Sequence, residues 1–160
     1  MLSVYLICVG KLKEKFYQDA CAEYVKRLSA YCRLTLVELP EEKLPQNPSQ
    51  GQIDQALARE AAAIRAKLPP SALLAALCVE GRMRSSEELA QLVGIWEQSS
   101  AKHLVFLIGG SYGLHPSIKA EAQVKLSMSP MTFPHHLARV MLLEQIYRAF
   151  KIREGSSYHK

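Results

Sequence analysis

Leu104-Val105-Phe106-Leu107-Ile108 runs straight into Gly109-Gly110-Ser111-Tyr112-Gly113, and the reading of the whole chain turns on that junction. An unbroken apolar run stopped by glycine reads as a strand buried on both faces, because a strand with one wet face would alternate. Similar runs lie on either side of it: Leu2–Val9 stopped by Gly10, Leu34–Leu39 stopped by Pro40, Leu73–Val79, and Val124–Met128. Between them the periodicity is helical. Phe16, Ala20, Tyr24 and Leu28 recur within Glu14–Ala30; Ile53–Leu68 is rich in Ala, Glu and Arg and closes at Pro69-Pro70; a helix capped by Ser85 or Ser86 runs through Trp96. A short helix near Pro116–Gln123 and a long one over His135–Ile152, with Pro134 at its start, complete the alternation. Strand–helix alternation with near-continuous apolar strands predicts an α/β fold, a mostly parallel sheet with helices on both faces, in one domain over residues 1–160.

Composition narrows the function classes. At 49% hydrophobic and 22% charged residues, the chain has the means to close a core without metal or disulfide staples. Its longest apolar runs fall far short of the about 20 residues needed to span a bilayer, and the amino terminus lacks the order of a signal peptide. A cytoplasmic globular domain is expected. Cys8, Cys21, Cys32 and Cys78 form no C-x-x-C pair and read as small buried hydrophobes. The net charge of +5 is moderate, but Arg139, Arg148, Lys151, Arg153 and Lys160 concentrate it at the carboxyl end, and Lys11, Lys13 and Lys15 form a second cluster. Each cluster reads either as a solvated face or as a polyanion-binding surface.

In parallel sheets, ligands bind beyond the carboxyl ends of the strands. That rule selects Val79-Glu80-Gly81, Ile108–Leu114 and Ser127–Phe133. The glycine loop matches neither phosphate-binding pattern, so it is either a tight turn or a place where a ligand approaches the main chain closely. Met128-Ser129-Pro130-Met131-Thr132-Phe133-Pro134 has a rigid backbone and few charges, which suits an uncharged aromatic group such as a nucleobase. Adjacent His135 and His136 diverge on a helix and do not make a metal pair; no metal site is expected. Leu137, Val140, Met141, Leu142, Leu143, Ile146, Tyr147 and Phe150 make the last helix apolar around much of its circumference. A second subunit packed on it is the economical explanation, giving a homodimer, with a wholly internal helix as the competing one. The terminal Gly155-Ser156-Ser157-Tyr158-His159-Lys160 would ordinarily fray.

Three runs carry a resemblance: Phe106–Leu114, Leu126–His135, and Leu143–Ile152 followed by Tyr158-His159-Lys160. With Val9-Gly10-Lys11-Leu12-Lys13, they resemble the RlmH family, bacterial large-subunit ribosomal RNA methyltransferases of the SPOUT superfamily that act at N3 of a pseudouridine. The resemblance implies a carboxyl-terminal trefoil knot (the α/β-knot fold), which periodicity alone does not show. It also implies S-adenosylmethionine as methyl donor, bound at positions matching Leu77, Gly109, Met128, Ser129, Pro130, Met131, Thr132 and Phe133. The implied partner is large-subunit rRNA within the ribosome. Methylating N3 requires its proton to leave, so a general base or a cation stabilising the developing anion is expected. His159, Tyr158 and Arg148 are the residues of the matched carboxyl end that suit those roles. A nonenzymatic ribosome- or RNA-binding module is the alternative, and it would lack a cofactor site.

Overall fold

The computed structural model describes residues 1–160. Ten elements alternate strictly: β1 (Leu2–Val9), α1 (Lys15–Leu28), β2 (Cys32–Leu39), α2 (Gln50–Lys67), β3 (Ala72–Met83), α3 (Ser86–Gln98), β4 (His103–Ile108), α4 (Pro116–Glu121), β5 (Val124–Ser127) and α5 (His135–Arg153). The five strands form one parallel sheet in the order β2-β1-β4-β3-β5. β4 is sandwiched between β1 and β3 and buried over Leu104–Ile108, as its unbroken apolar run requires. β2 lies at an edge, and most of its residues between Cys32 and Leu39 are at least partly exposed.

Alternation along the strands divides the core. Val4, Leu6, Cys8, Leu104, Phe106 and Ile108 face one way, into a cluster shared with α1, α3 and α5. Ile7, Val9, Val105 and Leu107 face the other way, onto α2 and α4. Each fully buried aliphatic side chain contributes about 1.5–3 kcal/mol, so the two layers together dominate stability. Cys8, Cys21 and Cys32 are buried free thiols, and burial pushes the Cys8 thiol up to about 12. No helix is long and apolar enough to cross a membrane.

Three local features differ from the sequence reading. α2 begins at Gln50 rather than Ile53, because Ser49 and Gln52 close a capping box that adds a turn. β3 continues to Met83 rather than ending at Val79, with a shift of register against β5: Leu77 pairs with Leu126, and then Arg82 pairs with the same residue. The extra residues Cys78–Gly81 bulge out of the ladder, and Gly81 permits the bulge, since a Cβ there would come within 2.7 Å of the Lys125 backbone. The third difference concerns α5. Leu142, Leu143, Ile146 and Ala149 are fully buried, packed with α1 and α3 of the same chain. Its apolar circumference is thus largely explained inside one subunit, with Leu137, Val140, Met141, Tyr147 and Ile152 partly buried.

Candidate active site

A cavity of about 280 Å³ opens beyond the carboxyl end of β4, beside the bulge of β3. The bulge of β3 supplies one wall, the glycine loop after β4 a second, and the loop between β5 and α5 a third. Leu77, Gly109, Met128, Ser129, Met131, Thr132 and Phe133 all line it; Pro130 belongs to the same loop but does not face the cavity. The loop is braced internally, with Met131 N–H donating to Ser129 Oγ at 3.0 Å and Ser127 Oγ donating to the Ser129 carbonyl at 3.2 Å.

The glycine loop is a tight reversal. Gly113 N–H donates to the Gly110 carbonyl at 3.0 Å, and Gly113 takes φ +78°. Gly109 has no positive φ; what demands glycine there is that a Cβ would overlap the backbone of Gly113. The loop is also tied from outside. Glu41, in the proline-rich stretch after β2, accepts the Ser111 backbone N–H at 2.7 Å. That stretch is therefore pinned at its start, and Glu42 N–H donates to Glu60 at 2.9 Å beside it.

Charges in the cavity are few and mostly neutralised. Glu80 meets Lys119 at 2.6 Å, and this hydrogen bond holds the Glu80 carboxyl below its usual range. His135, from the first turn of α5, lines the cavity, and its Nδ1 is buried without a partner. Burial, reinforced by His136 and Arg139, pushes its pKa down, and the imidazole is neutral at pH 7. The Arg139 guanidinium, 3% exposed, anchors this end of α5 by donating to Glu38 at 2.5 Å and to the Gly10 carbonyl at 2.9 Å.

The expected catalytic residues are brought together, but elsewhere. Gly155, at φ +73°, reverses the chain after α5: its N–H donates to the Ile152 carbonyl and Ser156 N–H to the Lys151 carbonyl, both at 3.0 Å. The terminal residues then run back along α5 rather than fraying. Tyr158 OH donates to Glu144 at 3.1 Å, its ring sits edge-on to Tyr147 at 5.0 Å, and the Arg148 guanidinium lies 4.8 Å from its centroid. Burial and the Glu144 hydrogen bond push the Tyr158 phenol up. Arg148 also grips Glu144 at 2.6 Å. His159 bridges Arg148 through Nδ1 at 3.2 Å and Glu87 through Nε2 at 2.7 Å. Since an arginine can only donate, Nδ1 is the acceptor and Nε2 carries the hydrogen given to Glu87. The only lone pair of that ring is thus already engaged.

Glu144 organises this cluster and also lines a second cavity of about 490 Å³, between α5 and the start of α3. Met128 stands in the walls of both cavities. Tyr158 and His159 line neither, so within one chain they sit beside the second cavity and away from the first. Sequence reasoning missed Glu144, Glu41 and His135. Only Glu144 carried a local signal, its i,i+4 spacing from Arg148. Glu41 and His135 reach the cavity wall only through contacts with loops distant in sequence.

A family model described as a predicted SPOUT methyltransferase matches residues 2–159. Among solved structures, the chain is similar to a probable methylase family protein from Haemophilus influenzae Rd KW20. The TM-score is 0.56 at 15% sequence identity, with 100% of this chain and 72% of that one covered.

Proposed function

The chain belongs to the SPOUT methyltransferase family, and from that premise we propose that it methylates N3 of a pseudouridine in large-subunit ribosomal RNA, on the assembled ribosome in the cytoplasm, as a homodimer. S-adenosylmethionine is the methyl donor that the family uses. The observation that carries the reading is the gathering of Leu77, Gly109 and the Met128–Phe133 loop around one cavity at the strand ends. Its walls fit the donor. Met131 and Phe133 offer apolar surface to an adenine, and Gly109 lines the cavity from a reversal closed tightly on Gly113. The unpartnered Nδ1 of His135 is a polar group still lacking a partner. Bound there, the donor would supply an activated methyl on a sulfonium, so the protein's own work is to position the acceptor and manage one proton.

Arg148 and the tail suit that work. Arg148 is a fixed cation, held by Glu144 and backed by the Tyr158 ring, and it is suited to stabilising a pyrimidine as N3 becomes anionic. Tyr158 orients Glu144 and presents an aromatic face. His159 can accept a proton only after releasing Arg148, which makes positioning its resting role. The homodimer reading is supported by Leu137 and Met141 on α5, which the rest of the chain covers only in part. The decisive experiment incubates the protein and S-adenosylmethionine with free large-subunit rRNA, isolated large subunits and whole ribosomes. N3-methylpseudouridine found by mass spectrometry in the particles supports the proposal; a methyl on another base or on protein, or no transfer at all, overturns it.

A further inference from the structure

Few large apolar side chains of this protein are well exposed, and three of them crowd one place. Val79, Tyr112 and Met131, exposed by 48%, 49% and 74%, all line the cavity of about 280 Å³ at the strand ends. Exposed apolar surface gathered at the mouth of a cavity marks a contact with something flat and partly apolar. Tyr112 is the most telling of the three. It sits in the reversal closed by the Gly113–Gly110 hydrogen bond, and its neighbour Ser111 is held by Glu41 at 2.7 Å. The turn is fastened from two sides, yet the ring it carries is half in water. Holding an exposed aromatic in a fixed place does nothing for the core, and it is what a stacking platform needs. The Lys125 backbone runs beside Gly81 in the bulge that walls the cavity, and its exposed side chain makes no ion pair, which leaves a free cation for a phosphate backbone.

We infer that Tyr112 is a positioning residue for RNA, stacking on an unpaired base of the acceptor strand, the target pyrimidine or its neighbour, at the mouth of the cofactor cavity. This rests on the methyltransferase reading above, since a donor seated in the cavity leaves the mouth as the side from which an acceptor base arrives. A nucleobase matches the observations better than a second copy of the chain, because a fixed aromatic face stands at the mouth and an unpaired lysine stands beside the bulge that walls it. Stacking is indifferent to the tyrosine hydroxyl, so phenylalanine or tryptophan should serve as well.

The test compares the wild type with Tyr112→Ala, Tyr112→Phe and Tyr112→Trp. Tyr112 lies on an exposed turn, so all four should fold, and thermal melting checks that they do. The cofactor probe is S-adenosylmethionine by calorimetry; the base probe is single-stranded RNA carrying 5-iodouridine, used both for affinity and for photocross-linking with peptide mapping. Expected are unchanged cofactor affinity throughout, a cross-link on the peptide containing Tyr112, RNA affinity lowered about ten-fold in Tyr112→Ala, and recovery in the Phe and Trp variants. On ribosomal particles the same order should appear in KM, with kcat little altered. RNA affinity unchanged in Tyr112→Ala overturns the inference. So does a ten-fold loss of cofactor affinity, which would make the ring a wall of the donor site, and so does a change of sedimentation, which would make it a subunit contact. A wild type that methylates no ribosomal particle refutes the proposed function instead, while cross-linking and RNA affinity still decide the role of Tyr112.

Discussion

Glu41 accepts the backbone N–H of Ser111 at 2.7 Å, joining the loop after β2 to the glycine loop after β4 across the carboxyl edge of the sheet. The same carboxylate packs on Gly110, where a Cβ would come within 2.6 Å of it. A surface carboxylate is thus what keeps the cavity wall in place. Glu41→Ala should weaken S-adenosylmethionine binding about five-fold, corresponding to the roughly 1 kcal/mol of one hydrogen bond, while the melting temperature hardly moves. Glu41→Gln keeps an acceptor oxygen and should restore most of the affinity. Calorimetry on the two variants checks this, and equal affinity in Glu41→Ala and wild type would show that the tie does not matter to the site.

Gly109 allows a sharper test of the same wall. Its φ is ordinary, so alanine there carries no backbone penalty, but the added Cβ overlaps the Gly113 backbone and forces the reversal open. Gly109→Ala should cost about 1–3 kcal/mol in overpacking and lower cofactor affinity by at least about ten-fold. Gly109→Val should abolish binding. Chemical denaturation and calorimetry together separate loss of the site from loss of the fold.

How much of this was legible beforehand depends on the range of the interactions involved. Strands such as Leu2–Val9 and Leu104–Ile108 are visible in sequence because burial on both faces leaves an unbroken apolar run. The helix cap is equally local: of Ser85 and Ser86, the two serines the sequence offers, Ser85 takes it, with Glu88 closing a capping box. The bulge at Cys78–Gly81 is not local, because it exists only against the paired residue Leu126. Nor is the burial of Ile146, since an apolar helix face looks the same whether α1 and α3 or a second subunit covers it. The fold-back of the tail needed both the left-handed Gly155 and a distant acceptor in Glu144 and Glu87, and composition alone reads such an end as frayed.

That distinction separates two substitutions on α5. Ile146→Glu places an unpaired carboxylate among α1 and α3 of the same chain, a cost of several kcal/mol, and should give insoluble or unfolded protein whatever the oligomeric state. Val140→Glu lies on the half-exposed side and should leave a folded chain. If that side meets a second subunit, Val140→Glu sediments as a monomer while the wild type sediments as a dimer. A wild type that is monomeric at micromolar concentration removes the dimer.

pH should act through His135. Burial holds its pKa below the ordinary value near 6.5, so the unfolded chain takes up a proton before the folded one does. Its contribution to stability is therefore present above about pH 6.5 and is lost as pH falls through the depressed folded value. The facing groups are Glu41 from the loop after β2, Glu14 at the start of α1, and His136 and Arg139 on α5. Cofactor binding should weaken over the same window, because a protonated imidazole repels a sulfonium. His135→Asn should flatten both profiles; an unchanged acid slope in that variant would assign the sensitivity to another group.

The tail yields the most discriminating expectation. Tyr158 and His159 are fastened to Glu144, Arg148 and Glu87, and neither lines the cavity between the β3 bulge and the glycine loop of its own chain. If they act on the acceptor, the nearest arrangement that leaves this network intact places them over the cavity of a partner subunit. Deleting Tyr158–Lys160 removes an edge-on aromatic contact, a cation–π contact and the partly solvated hydrogen bonds to Glu144, Arg148 and Glu87, worth about 1–3 kcal/mol together, and it touches none of the buried core, so folding survives. Cofactor affinity should stay within about two-fold, whereas methylation of ribosomal particles should fall about a hundred-fold or more, as for an interaction made only in the reacting complex. Mixing decides which subunit is served. A tail-deleted chain has a sound cavity and no tail; a Gly109→Val chain has a sound tail and no cavity. When the two are unfolded together and refolded as mixed dimers, a tail acting across the interface completes one site per dimer and activity returns. A tail acting on its own chain leaves every site in the mixture broken, and activity stays at the level of the separate variants.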